Sequence, residues 1–397
     1  VKISDVTTFV IKNPPPGFGG KYFIVVKVTT DTGIVGYGEI YAATFGPHTI
    51  ASMVDDVAAR WVIDQDPNRI ELMWRRIYSS GYALRPDPTL VGIMSGLEMA
   101  CWDIVGKGAG KPVYDLLGGR VHERLRTYTY LYPSAGFRDV YTNPDHAAAR
   151  AVNEVERGFT ALKFDPAGPY TAFDGHMPSL ADIDSSVRMI STLRDAVGPG
   201  ADLLFGTHGQ FTAAGAIRLA DQLEPFDPLW FEEPCAADLP HEMARVASQT
   251  TIPIATGERL TTVSEFAALG RHQAASIWQP NLGRCGGILA GKKIAAIAEA
   301  NGCQIAPHLY SGPILGAANI QLAATLPNLL IIEGIREWGG FHAELLNSPI
   351  VWEEGYVIPS TEPGLGVELN EEVALANPWP ADDDGALHLS MVPDPVR

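Results

Sequence analysis

Glu232 and Glu258 stand 26 residues apart, each at the end of a short apolar run, and the same beat carries on along the chain. From 206 the run ends fall at 232, 258, 281, 308 and 333, in steps of 26, 26, 23, 27 and 25. Such a period leaves room for one strand, one helix and two loops, so the chain returns to the same edge of a sheet with each step. Eight runs fit the pattern: 127–132, 161–165, 202–206, 229–233, 252–258, 276–281, 304–308 and 329–333. Segments of helical spacing lie between them, among them SSVRMISTLRDAVG, VSEFAALGRH and ILAGKKIAAIAEANG. Eight parallel strands at this repeat length predict a closed (β/α)₈ barrel. A doubly wound open sheet fits less well, because no GxGxxG follows the first strand of the unit.

The flanks read differently. KISDVTTFVI, YFIVVKVTT and GIVGYGEIY suggest a meander of strands, followed by helices expected over 64–76 and 90–117. The 397 residues thus divide into an N-terminal α+β unit (1–118), the barrel (119–335) and a strand-and-turn tail (336–397) expected to pack back on the first unit. A formal net charge of −17 argues against a nucleic-acid partner, which would need clustered Lys and Arg. The four cysteines show no CxxC pairing, which suits reduced thiols in a cytoplasmic protein. No signal-like N-terminus and no uninterrupted apolar run near the roughly 20 residues of a membrane span are seen. A homo-oligomer without membrane contact is expected.

A (β/α)₈ barrel builds its active site at the C-terminal ends of its strands. Polar residues gather there: Lys163, Asp165, His208, Glu232, Glu258, Asn281, His308 and Glu333. A lone strand-end carboxylate has a structural explanation more often than a chemical one, but seven of eight strands ending in groups that can ionise or hydrogen-bond do not. Two carboxylates from adjacent strands would repel unless a cation sits between them. Oxygen donors suit Mg²⁺, and no Cys or His spacing suits zinc.

The motifs WFEEP, IATGER, QPN and APHLYSGP, with GYGE and GLEMACWDIVGK before them, resemble the enolase superfamily. Within it the mandelate racemase/muconate lactonizing enzyme group is similar, especially its galactonate dehydratase-like acid-sugar dehydratases. The resemblance covers nearly the whole chain. It implies a capping domain, formed by the N-terminal region and the tail, over a Mg²⁺-holding barrel. It further implies a lyase that takes the α-proton of an aldonate or aldarate and expels the β-hydroxyl to leave a 2-keto-3-deoxy acid. By that resemblance Glu232 and Glu258 are metal ligands, His308 is the general base, His208 the acid, and Lys163 a cation at the substrate carboxylate. Asp165, Arg259, Asn281, Tyr310 and Glu333 are expected to contact the substrate. Asp165 stands where racemases of the group have a second lysine, which favours elimination over two-base racemisation.

Two positions depart from the pattern. Gly206 replaces an acidic metal ligand, and Asn281 replaces the aspartate that usually holds the histidine. His308 is therefore expected to have a lowered pKa, and His208 could serve as ligand instead of acid. An isomerase or cycloisomerase of the superfamily, or a non-catalytic acid-sugar-binding barrel, are the alternatives. Specificity is expected from Pro14–Lys21, as a shaped lid or an exposed tether, from Tyr41–His48, and from Tyr310 and Ser311.

Overall fold

The computed structural model describes residues 1–41, 45–82, 85–134, 136–165 and 175–381. Residues 42–44, inside the expected specificity loop Tyr41–His48, lie outside them. The chain opens with an antiparallel meander, β1 (Ile3–Lys12), β2 (Tyr22–Thr30) and β3 (Val35–Ile40). Four helices follow: α1 (Pro47–Trp61), α2 (Ile70–Ser80), α3 (Pro88–Ala109) and α4 (Val113–Leu116). Sequence reading missed α1 and started α2 too early. Asp64 has a φ of 64°, which an α-helix does not accept, so the chain turns there.

Helix α3 is long and apolar enough to cross a membrane by length and composition, but 78% of its apolar window is buried within the protein. It is the core helix of the capping unit and packs on β3. The glycines of GYG make the approach possible. A Cβ on Gly38 would lie 1.9 Å from the Gly96 carbonyl oxygen, and one on Gly36 would lie 2.1 Å from that of Ala100. Strand and helix backbones touch here, which only glycine permits.

The barrel strands are β4 (Leu125–Tyr130), β5 (Ala161–Phe164), β6 (Asp202–Gly206), β7 (Trp230–Glu232), β8 (Ile254–Thr256), β9 (Ile277–Trp278), β10 (Gln304–Ile305) and β11 (Ile332–Gly334). Between them run α5 (Pro144–Glu156), α6 (Leu180–Val197), α7 (Ala213–Leu223), α8 (Pro240–Ala247), α9 (Val263–His272), α10 (Gly287–Ala300) and α11 (Pro313–Ala323). Neighbours from β4 to β10 pair in parallel, and β11 pairs in parallel with β4. A parallel bridge between Ile305 and Leu329 joins the last two strands, so the hydrogen bonding runs round the ring. The strands are shorter than the apolar runs suggested, because the mouth ends of most runs leave the ladder and turn toward the site.

One buried side chain from each strand segment fills the interior: Tyr128, Ala161, Leu204, Trp230, Ala255, Ile277, Ala306 and Ile331. Alanines set among large side chains let the layer close, with Tyr128 and Trp230 edge to face at 5.3 Å. This apolar plug floors the site above it.

The tail does two things. A hairpin, β12 (Val351–Glu353) and β13 (Tyr356–Ile358), pairs antiparallel with the start of β4 at the bottom of the barrel. Only the later tail returns to the capping unit. There Pro378 bridges Ile11, and the Leu365 amide donates to Asp103 at 2.8 Å.

Buried carboxylates lock the capping unit to the barrel. Helices α10 and α11 have no side-chain cap of their own. Glu98 accepts from the amides of Ile288 (2.7 Å) and Leu289 (2.8 Å), and Glu39 from those of Gly312 (2.5 Å) and Leu315 (2.9 Å). Each satisfies orphan amides at a positive helix end. The glutamates of GYGE and GLEM thus serve as caps donated across the interface.

Candidate active site

Side chains on a strand return to the same face every two residues. Two residues beyond the apolar plug the chain positions are Tyr130, Lys163, Gly206, Glu232, Gly257, Gln279, His308 and Glu333. Two further on come Tyr132, Asp165, His208 and Asn281. Nearly every polar residue singled out from sequence falls in these two layers. Glu258 is the exception. The ladder places Glu232 opposite Ala255, so Glu258 comes three residues later, past the end of β8. The glycine series itself was read correctly, since Gly206 lies directly opposite Glu232.

Lys163 is buried and pairs with Glu232, and its ammonium lies 3.9 Å from Glu333. The second oxygen of Glu232 accepts from Gln279 at 2.7 Å. Gln279 escaped sequence reading although it opens the QPN motif, because an amide does not stand out as chemistry-bearing. Glu333 accepts from the Leu309 amide at 2.8 Å, so it is held by backbone. His308 lies with Nε2 3.4 Å from Glu258 and 4.0 Å from Glu333. Tyr41, sent across from the capping unit, tilts over the His308 ring at 5.9 Å and receives the Arg284 guanidinium on its own ring at 4.4 Å.

Asn281 meets His308 on the other side, with its Nδ2 2.8 Å from the ring Nδ1. A neutral histidine that is to take a proton at Nε2 must carry its own proton on Nδ1. The amide supports that tautomer when it presents Oδ1 to the ring, an orientation the O/N ambiguity of the amide allows. Burial pushes the His308 pKa down to about 4, against the pull of Glu258, so the ring is neutral near pH 7.

His208 is poised the opposite way. Its Nδ1 lies 3.0 Å from Asp165 Oδ2. Burial opposes charge on the ring, but Asp165 outweighs it and lifts the pKa to about 9. Arg259 donates to the His208 carbonyl at 2.5 Å and pairs with buried Glu233 at 3.0 Å. It thus braces the loop carrying the histidine. Asp165 and Asn281, expected at the substrate, are each turned toward a histidine. Tyr310 is half-buried at the rim.

The lid is shaped. Asn13 donates to the carbonyls of Phe18 (2.8 Å) and Gly20 (2.7 Å), and Phe18 stacks on Tyr132 at 4.3 Å. A Cβ on Gly19 would lie 2.8 Å from the Ser311 carbonyl oxygen. Two of the three segments expected to set specificity, Pro14–Lys21 and Tyr310–Ser311, therefore meet.

The charges do not balance. Asp165 offsets His208, and Glu233 offsets Arg259, but among the described residues Lys163 is the one cation paired directly with Glu232 and near Glu333. Against the pull of burial, His208 and Arg259 help hold the Glu258 carboxyl below the ordinary carboxylate value from further off. Burial raises the pKa of Glu232 and of Glu333, the response expected of carboxylates short of cations. Glu258 Oε2 is buried with no hydrogen bond among the described residues. These donors fit a small oxygen-loving dication held by two carboxylates plus water or substrate oxygens. Among the described residues no group of three or more His, Cys, Asp or Glu side chains encloses a metal position, consistent with glycine at 206.

Residues 146–373 match the family described as enolase C-terminal domain-like, and residues 17–118 match the mandelate racemase/muconate lactonizing enzyme N-terminal domain. The chain belongs to the enolase superfamily. A crystal structure from Labrenzia alexandrii DFL-11, of a protein assigned to its mandelate racemase/muconate lactonizing enzyme group, is 58% identical. It superposes with a TM-score of 0.96, over 99% of this chain and 100% of that one. D-galactonate dehydratase of Pectobacterium atrosepticum is 34% identical over 391 residues, 96% of each protein. D-gluconate/D-galactonate dehydratase of Picrophilus torridus is 32% identical over 353 residues, 88% of this chain and 87% of that protein. Enolase-superfamily dehydratases generally use Mg²⁺, which agrees with the donor chemistry around Glu232 and Glu258.

Proposed function

We propose that the protein is an acid-sugar dehydratase acting on C5–C6 aldonates or aldarates to form 2-keto-3-deoxy acids. The observation that carries this reading is the pair of differently held histidines in one mouth, His308 between Asn281 and Glu258 and His208 against Asp165, surroundings that drive the first pKa down and the second up. Titratable groups whose surroundings drive their pKa values apart define a base and an acid. His308 would take the α-proton at Nε2, with Asn281 holding the tautomer. His208 would hand its proton to the departing β-hydroxyl, so water leaves as the double bond forms. The enol then becomes the keto acid.

The α-proton of a carboxylate is barely acidic, so charge gathering on the carboxylate must be stabilised more than the substrate's own charge. Lys163 supplies a fixed cation there. Glu232 and Glu258 would hold the Mg²⁺, which when bound would add Lewis-acid stabilisation at the same oxygens. Asp165, a carboxylate bound to His208, leaves no second lysine for a two-base racemisation. The names of the relatives make gluconate and galactonate the first substrates to try.

Glycine at 206 and asparagine at 281, each in place of an acid, support a second reading, a barrel that binds acid sugars without turning them over. The deciding experiment is a panel of aldonates and aldarates, with keto-acid formation followed with added Mg²⁺ and with EDTA. Turnover that EDTA abolishes and Mg²⁺ restores is expected. Saturable binding of an acid sugar with no keto acid formed would establish the second reading instead.

A further inference from the structure

We propose that Asp165 is the positioning residue of His208, and that glycine at 206 is what lets it reach there from the neighbouring strand. The inference rests on the lyase reading above and gives Asp165 a further part in it, that of orienting the ring.

Strands β5 and β6 run side by side with Phe164 opposite Phe205, so Asp165 and Gly206 are the next pair at the mouth. An ideal Cβ on residue 206 would lie 3.2 Å from Lys163 Cε and 3.3 Å from Asp165 Oδ1. A Cβ at 206 would press on the Asp165 carboxylate and the Lys163 stem and make them give by a few tenths of an ångström. A longer acidic side chain there would crowd this placement of Asp165 further. Glycine gives the carboxylate a clear path, and its second oxygen reaches His208 Nδ1 at 3.0 Å.

The histidine is held for this contact. His208 has a left-handed backbone, φ 51°, a conformation that an ordinary side chain keeps only when its surroundings impose it. Arg259 grips its carbonyl, the Gly209 amide donates to the Glu233 carbonyl at 2.7 Å, and the Thr207 hydroxyl reaches the carbonyls of Glu232 and Glu233, each at 2.9 Å. With the backbone pinned, Asp165 decides which way the ring faces, and pairing through Nδ1 assigns proton delivery to Nε2. Among the described residues the charged groups around His208 include Asp165, Glu258, Lys163, Arg259 and Glu233, and the hydroxyls of Tyr130 and Tyr141 also face Asp165. Of these only Asp165 meets the ring directly in an ion pair.

The test compares wild type with Asp165→Asn and Gly206→Ala. Histidine ring resonances are followed by NMR against pH in the protein without substrate, and His208 is assigned by its loss in His208→Gln. Asp165→Asn should lower the His208 titration by at least about one pH unit. It should also cut kcat by about 10- to 100-fold with KM little changed, the usual cost of losing an orienting partner. Gly206→Ala, which leaves both partners chemically intact but displaces the carboxylate, should shift the titration in the same direction. An Asp165→Asn protein whose His208 titrates as in wild type would overturn the proposal. So would a rise in KM at unchanged kcat, the mark of a substrate contact. If no acid sugar is turned over, the lyase reading falls, and the titrations alone decide the pairing.

Discussion

Asn281 and Gly206 each change a few atoms from the superfamily pattern, and the two changes act on different histidines. Burial lowers the His308 pKa to about 4, and an amide beside the ring brings no negative charge to oppose that. Asn281→Asp restores the charge. The acidic limb of kcat/KM, where the base becomes protonated and activity is lost, should then move to higher pH by about one to two units. A pH–rate profile of the two proteins checks this. His308→Gln removes the base altogether and should lower turnover by roughly 10²- to 10⁴-fold. It should also abolish exchange of the substrate α-proton in D₂O, read by proton NMR. If exchange persists, the proton leaves to another group and His308 has been misassigned.

At the scale of elements, the capping unit depends on an approach between β3 and α3 so close that no side chain fits. Gly38→Ala would place a methyl 1.9 Å from a helix carbonyl oxygen, and the helix must retreat from its sheet. A loss of about 1–3 kcal/mol is expected, read as a lower urea midpoint. Gly33→Ala would be a poor control, because its positive φ of 83° brings strain of its own. Gly46→Ala is better, since among the described residues its Cβ would meet nothing within 4 Å and its φ is −58°, and it should cost less than Gly38→Ala, no more than the small loss of a glycine helix cap. Much at this scale was legible in sequence. Apolar runs and the helical spacing between them announced the barrel strands, and helical spacing over 90–117 announced α3. Helix α1 was not, because PHTIASMVDDVAARW is less emphatic than its neighbours and its place depends on what packs over it.

For the whole molecule, the two carboxylates that join capping unit to barrel make stability depend on pH. Burial raises Glu39 and Glu98 to about 7 each, from an ordinary value of 4.5, although the helix amides pull the other way. A folded chain that holds these protons more tightly than the unfolded one is stabilised at low pH, and that advantage is lost as pH rises from 4.5 through 7. Carboxylates with lowered values, such as Glu71, work in the opposite sense, so the difference between proteins is the informative quantity. Between pH 5 and 8 the Tm of Glu39→Gln or Glu98→Gln should fall less than that of wild type. Identical slopes would mean that both groups stay ionised in the fold.

By itself the sequence determined the period, and with it the barrel, the mouth and the layer in which the chemistry sits. These follow from spacing, because strand and helix lengths and the two-residue alternation of a strand are local properties. Only the tertiary structure decided what each polar residue meets there. Asp165 was read as a substrate contact and is turned toward His208, while Asn281, read as a substrate contact and as the stand-in for the aspartate that holds the histidine, meets His308. Glu258 keeps the beat of 26 yet stands three residues beyond the register of Glu232. Gly206 looked like a lost ligand, and is also the opening through which a neighbouring carboxylate reaches its histidine. Such partnerships join side chains from different strands, and their geometry depends on strand register and on the space left by missing atoms, which no single stretch of sequence records.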